Sequence, residues 1–167
     1  RPSPLRSIPF ASALAYAEAE GRHAGQPWRL PWEVEWEKAA RGADGRPYPW
    51  GDRFDPILCN VRSSREFPDP ESPRERPWDE SVHGVLGLAG NMRDWCQDRY
   101  VPDAVWPERW IAPDPAPTTD PELRRSTRGG AWGDSDRGAR LAVRGGHAQG
   151  WRHTSVGVRL FRSLTRR

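Results

Sequence analysis

Ten tryptophans run through this chain, from Trp28 to Trp151, in a sequence that has no long apolar stretch. Rings of that size are rare in disordered segments, so the chain folds and closes its backbone around them. The same sequence carries 16 glycines and 18 prolines. They lie above the usual globular level and below that of a low-complexity chain, which predicts much irregular loop between few regular elements. At 167 residues and 35% hydrophobic content, one domain with a modest core is expected over 1–167. No apolar run reaches the length of a membrane span, and no signal-peptide pattern opens the sequence. The chain starts at Arg1 and has its one methionine at Met92, which reads as the C-terminal portion of a longer protein.

Charge excludes little. The net formal charge is +3, with 26 basic and 23 acidic residues interspersed, and only the tail (Arg159, Arg162, Arg166, Arg167) is one-signed. That mixture argues against a nucleic-acid partner. Among the basic residues only Lys38 is a lysine, a bias toward planar cations that stack on rings. Two cysteines, Cys59 and Cys96, are too few for a disulfide framework or a zinc cluster. They are compatible with one bridge or with two buried thiols.

Apolar spacing predicts a helix over 10–20 that stops at Gly21, and a second over 31–41. In the second, Pro31 opens the first turn, Glu33 and Glu35 face the positive end, and Gly42 closes it. Trp32, Trp36, Ala39 and Ala40 recur as its core side. Short strands are expected at 128–132, 140–144 and 156–161, the last alternating Val156, Val158 and Leu160 with Gly157 and Arg159. Pro-rich charged segments at 62–80 and 101–122 read as surface loops anchored by Trp78, Trp106 and Trp110. The fold class is α+β: two helices, a small antiparallel sheet and much loop.

Five motifs then appear in order: RLPWEVEWEKAARG (29–42), YPWGD (48–52), GVLGLAGNMRDWCQDRY (84–100), RGGAW (128–132) and GVRLFR (157–162). Together they resemble the formylglycine-generating enzyme (sulfatase-modifying factor) family, which implies a C-type lectin-like fold. One departure is Trp32, where the family usually has Ser or Thr. The hydroxyl N-cap is lost, so the helix start must be satisfied in another way.

Catalytic members of that family use two cysteines in the segment after the RGG motif to bind copper and oxidise a substrate cysteine. Soft thiolates suit monovalent copper. Here that segment, 133–155, holds no cysteine, so a non-catalytic role is expected and no redox cofactor is required. Asp134, Asp136, His147, His153, Thr154 and Ser155 can be arranged as a nucleophile–His–acid set on paper, but such sets are recognised by geometry. His147 and His153 lack a third ligand for a metal.

Between framework positions of this segment lie Gly133, Asp134, Gly138, Gly145, Gly146, His147, Gly150, His153, Thr154 and Ser155. That layout resembles the variable proteins of diversity-generating retroelements, in which asparagine codons are mutagenised at adenine and scaffold codons are spared. All ten residues are accessible from such codons. The resemblance implies a binding face over 133–155 for a protein or other macromolecular ligand, with Trp151 as an aromatic anchor. Two alternatives stay open: an enzyme of the family with altered or degenerate chemistry, and a regulatory module. The residues do not choose between the cell surface and the cytoplasm.

Family resemblance also implies a structural calcium held by the carbonyls of Gly87, Gly90 and Met92 and by the carboxylate of Asp94. Asp94 stands where the family usually has Glu, and Gly87 where the enzyme has Asn.

Overall fold

The computed structural model describes residues 5–103, 120 and 123–162. Helix α1 spans Phe10–Ala24 and helix α2 Glu33–Arg41. Four strands follow: β1 (Arg93–Arg99), β2 (Arg124–Arg128), β3 (Arg144–Ala148) and β4 (Val156–Gly157), in the spatial order β3-β2-β1-β4. The sheet is mixed rather than antiparallel throughout. β1 runs antiparallel to β2, and β2 to β3, but β4 joins β1 in parallel through Arg93–Val156 and Asp94–Gly157.

Helix α1 buries Phe10, Ala13 and Ala17 along one face. It does not stop at Gly21. A side chain at Gly21 would meet the Gln26 carbonyl at 2.9 Å, so this glycine lets the returning chain pass close to the helix. Gly25 ends the helix instead, with φ at 60° and its N–H donating to Gly21 O. Helix α2 solves the missing hydroxyl cap with two carboxylates. The backbone N–H of Trp32 donates to Glu35 at 3.0 Å, and that of Glu33 to Asp98 at 2.7 Å. Trp36 and Ala40 are buried as expected, whereas Trp32 and Ala39 are only half-buried.

Strand β1 lies at the centre and is buried on both sides. On one side Trp95 packs with Phe10, Ala13, Ala17 and Leu30, and its Nε1 donates to Ile8 O at 3.0 Å. On the other, Cys96 packs with Trp36, Ala40, Leu88 and Leu141. A third cluster gathers Tyr48, Cys59, Val61, Ala89 and Ala139 under the loops. Both cysteines are free, and they sit in different clusters.

Strands 128–132 and 140–144 do not form. The β2 ladder ends at Arg128 because Gly129 takes φ 85° and turns the chain. Residues 137–143 make successive turns, and pairing resumes at Arg144 opposite Arg128. Of 156–161 only Val156–Gly157 is strand, although Val158 and Leu160 still pack on the α1 cluster and Phe161 bridges to Arg29. Trp78 is not the anchor expected, being 69% exposed and in none of the core clusters among the described residues; Trp106 and Trp110 lie outside them.

Arginine completes the core. Arg128 is fully buried, lies 5.3 Å over the Trp36 ring, and donates to Glu37 at 2.6 Å and to the carbonyls of Leu141 and Ala142. Arg144 grips the buried Glu33 with two 2.7 Å bonds. These pairs bolt α2 to β2 and β3. Removing one partner of a buried ion pair strands the other, so Arg128→Ala is expected to lose about 3–5 kcal/mol. The exposed Arg137→Ala should stay within about 0.5 kcal/mol of the parent in the same urea titration.

Candidate functional site

The segment from Gly133 to Ser155 divides into residues that hold the frame and residues that face solvent. Asp134 belongs to the frame. Its Oδ2 accepts from the Ala131 backbone N–H at 2.9 Å and from Arg93 at 2.6 Å, while Arg93 also donates to Gly129 O at 3.2 Å. That carboxylate therefore clips the turn after β2 onto β1. Gly138 packs on it, because a Cβ there would lie 2.7 Å from Asp134 Cβ.

Gly145, Gly146 and His147 are strand residues of β3, paired with Thr127, Ser126 and Arg125. They are not loop tips. A Cβ on Gly146 would sit 2.0 Å from the Tyr100 ring, and one on Gly145 2.6 Å from Thr127 Oγ1. Both positions are closed to larger residues unless the sheet moves. Ser155 is buried too, and its hydroxyl meets His153 Nδ1 at 2.6 Å.

The remaining positions form one patch. A turn bonded from Trp151 N–H to Ala148 O swings the indole back over β3. There it stacks on His147 with centroids 3.7 Å apart, and His153 stacks on it in turn at 5.3 Å. Trp95 meets His147 and Trp151 edge-on at 6.4 and 6.3 Å, which ties this ladder to the core. Beside it, Trp132 Nε1 donates to Thr154 O at 3.4 Å. His153, Thr154 and Gly150 are exposed, and side chains at Gly133 or Gly150 would meet nothing within 4 Å. Trp132 and Arg93 are site residues that spacing did not reveal. Trp132 looked like framework in the RGGAW motif, and Arg93 could have been found only by knowing that β1 puts it on the Trp95 face.

Electrostatics disfavour a charge on the inner ring of the ladder. Burial, helped by the positive Arg93 and Arg124, lowers the His147 imidazole to about 4. The chemistry available here is stacking, hydrogen bonding and shape, with little nucleophilic power. No carboxylate hydrogen-bonds to His153 among the described residues, so the serine–histidine contact lacks an orienting acid. Burial pushes the Cys59 thiol up to about 12, and raises that of Cys96 well above its ordinary value. Two protonated thiols in separate core clusters do not fit a thiolate copper centre.

Nor do the expected calcium ligands fit that ion. Asp94 Oδ2 accepts from Trp36 Nε1 at 2.9 Å and from Arg159 Nε at 2.7 Å. Gly87 O accepts from Arg159 at 2.9 Å, and Gly90 O accepts from the Met92 N–H at 2.9 Å. Among the described residues no group of three His, Cys, Asp or Glu side chains could hold a metal ion.

Comparison with known proteins places these features in context. The family described as sulfatase-modifying factor enzyme 1-like domain matches residues 1–164. The formylglycine-generating enzyme of Streptomyces coelicolor is 32% identical over 146 residues, covering 77% of this chain and 42% of that enzyme. An inactive C-alpha-formylglycine-generating enzyme 2 of Mus musculus is 30% identical over 109 residues, covering 59% of this chain and 33% of that protein. The chain thus spans less than half the length of these relatives. Among solved structures, Treponema denticola variable protein 1 superposes with a TM-score of 0.76 at 19% identity, covering 95% of this chain and 70% of that one. At that identity the likeness is one of fold.

Two outcomes follow from the geometry. Gly146→Ser should lose about 1–3 kcal/mol from overpacking against Tyr100, while Gly150→Ser stays within about 0.5 kcal/mol, both read by chemical denaturation. His147 has a folded value below its unfolded one, so the stability it confers is complete above about pH 6.5 and is lost as pH falls toward 4. Nitrogen-detected NMR should find its midpoint near 4, and the stability gap between the parent and His147→Asn should shrink between pH 7 and pH 4.5. A midpoint near 6.5 would contradict the burial argument.

Proposed function

The chain belongs to the sulfatase-modifying factor enzyme 1-like family, and from that premise we propose that it is a non-catalytic ligand-binding domain. Its binding surface is diversified at loop tips on a C-type lectin-like scaffold, in the manner of a retroelement variable protein. One observation carries this reading. Gly150, His153 and Thr154 are exposed, and a side chain at Gly150 or at the half-buried Gly133 would meet nothing within 4 Å, while their neighbours Asp134, Gly138, Gly145, Gly146 and Ser155 are fixed by packing. The absence of cysteine from 133–155 supports the non-catalytic part. Likeness of fold to a variable protein agrees with both parts.

Binding on such a surface draws on a rigid aromatic anchor ringed by small polar groups. Trp151 is held on both ring faces by His147 and His153 and by the Trp95 edge, so little side-chain entropy remains to be lost on contact. Variation at the four positions changes what surrounds that anchor, and at His153 one of its two stacking partners, while His147 and the Trp95 edge keep it in place. The partner surface is that of a protein or another macromolecule, which the exposed run Arg152, His153 and Thr154 beside Trp151 would meet.

Diversification leaves a trace in the gene. The locus should carry a second copy of the 133–155 coding stretch with AAC or AAT at the codons for Gly133, Gly150, His153 and Thr154, beside a reverse-transcriptase gene. The codons for Gly138, Gly145 and Gly146 should be identical in the two copies. A locus without such a copy removes the diversification claim. The enzymatic alternative, favoured by the Streptomyces relative, has its own test. The domain, incubated with copper and a cysteine-containing sulfatase-motif peptide, should leave the peptide mass unchanged. Formation of formylglycine would overturn the non-catalytic assignment.

A further inference from the structure

The turn over residues 87–94 is held by side chains at every polar edge. On its N–H side, the buried Asp79 accepts from Leu88 and Ala89 at 3.0 Å. On its carbonyl side, the Arg159 guanidinium donates through Nη2 to Gly87 O at 2.9 Å and through Nε to Asp94 at 2.7 Å. Asn91 makes the sharp bend with φ at 70°, and its amide makes three of its four possible hydrogen bonds. Oδ1 accepts from Asn60 at 3.1 Å and from the Glu71 N–H at 2.9 Å, while Nδ2 donates to Glu71 O at 2.8 Å. A cavity of about 170 Å³ opens against the turn, and Asp94 is the one acid among its described lining residues.

We infer that Arg159 is the resident cation of this turn, and that the chain holds its C-terminal strand on β1 without a divalent ion. Three elements converge on the Asp94 carboxylate: β1, which carries it; α2, through Trp36 Nε1; and the segment after β4, through Arg159. Calcium takes six to eight oxygens, carboxylates among them. Here the single carboxylate is neutralised by a guanidinium, and an entering cation would face that positive charge. Gly87 takes φ 69°, a conformation that strains other residues, and a Cβ there would lie in ordinary contact with Pro73 at 3.4 Å and Arg159 Nη2 at 3.9 Å. The planar fork of arginine suits the job because it reaches a carbonyl and a carboxylate at once, which a lysine could not. The consequence is a scaffold whose shape does not depend on the calcium level around it. This inference stands apart from the ligand-binding proposal and survives its failure.

The test measures melting temperature and metal content on the purified chain. The parent should melt within about 1 °C of the same temperature in millimolar calcium and in excess chelator, because a site that binds nothing gains nothing by mass action. Elemental analysis should find calcium far below one ion per chain. Arg159→Gln should melt at least about 5 °C lower, since Asp94 is then left buried with one partner. Arg159→Lys should fall between the two. A parent stabilised by calcium and reversed by chelator, a stoichiometric calcium in the purified protein, or an Arg159→Gln variant that melts with the parent would each overturn the inference. If Arg159→Gln does not fold, the two measurements on the parent still decide.

Discussion

The structure depends on guanidinium groups buried against carboxylates and rings where α2 meets the sheet. Arg128 and Arg144 come from β2 and β3; Glu33 and Glu37 come from α2. A chain with few aliphatic residues and many prolines cannot build a wide hydrocarbon core. It uses the flat faces of arginine as core material, with Arg125 lying 4.6 Å over Phe10 and Arg128 5.3 Å over Trp36. Desolvating such ions is costly, and the cost is offset only where geometry is bidentate and the remaining N–H groups find carbonyls. The Arg144–Glu33 pair meets the bidentate condition; Arg128 meets it in part, with Nη1 and Nη2 on Glu37 and the carbonyls of Leu141 and Ala142 while its buried Nε finds no acceptor.

That frame decides which residues between β2 and β4 are free. Loops after a rigid sheet ordinarily tolerate change, yet here much of the segment is spent on the frame itself. Asp134 works as a clip, Gly146 makes room for Tyr100, and His147 is the inner plate of an aromatic stack. What is left is compact: the two tips after Trp132 and Trp151, and the outward face of His153. The division gives the surface a fixed centre and a changeable edge. Arg159 extends the same device to the far end of the sheet, where one guanidinium ties the segment after β4 to the turn at Gly87 and to Asp94 of β1, the carboxylate that Trp36 of α2 also meets.

Much of this was readable from residue order. Both helices, the glycine that ends α2, and the five motifs that mark the fold could be recognised because they are local in sequence. Strand β1 could not, since burial on both faces erases the alternation by which half-buried strands are found. The end of α1 was misplaced because Gly21 serves a close approach rather than a stop, and only the path of residues 26–28 reveals that. The tryptophans misled in one respect. Trp36 and Trp95 are fully buried, but Trp78 is exposed and arginine carries part of the anchoring expected of the indoles. Within 133–155, composition could not separate Gly146 from Gly150. They are the same residue, and the Tyr100 ring makes the difference. The Arg159 bonds to Gly87 and Asp94 join residues far apart in the chain and carry no pattern at all.

Native-state amide hydrogen exchange tests the division between frame and tips most directly. If buried ion pairs hold the sheet rigid, amides bonded in the β1–β2–β3 ladder should exchange only through global unfolding, while Gly150, Arg152, His153 and Thr154 exchange by local opening with little protection. Ladder amides of β3 that exchange as readily as those four would mean that the frame moves with the tips, and the account would be wrong.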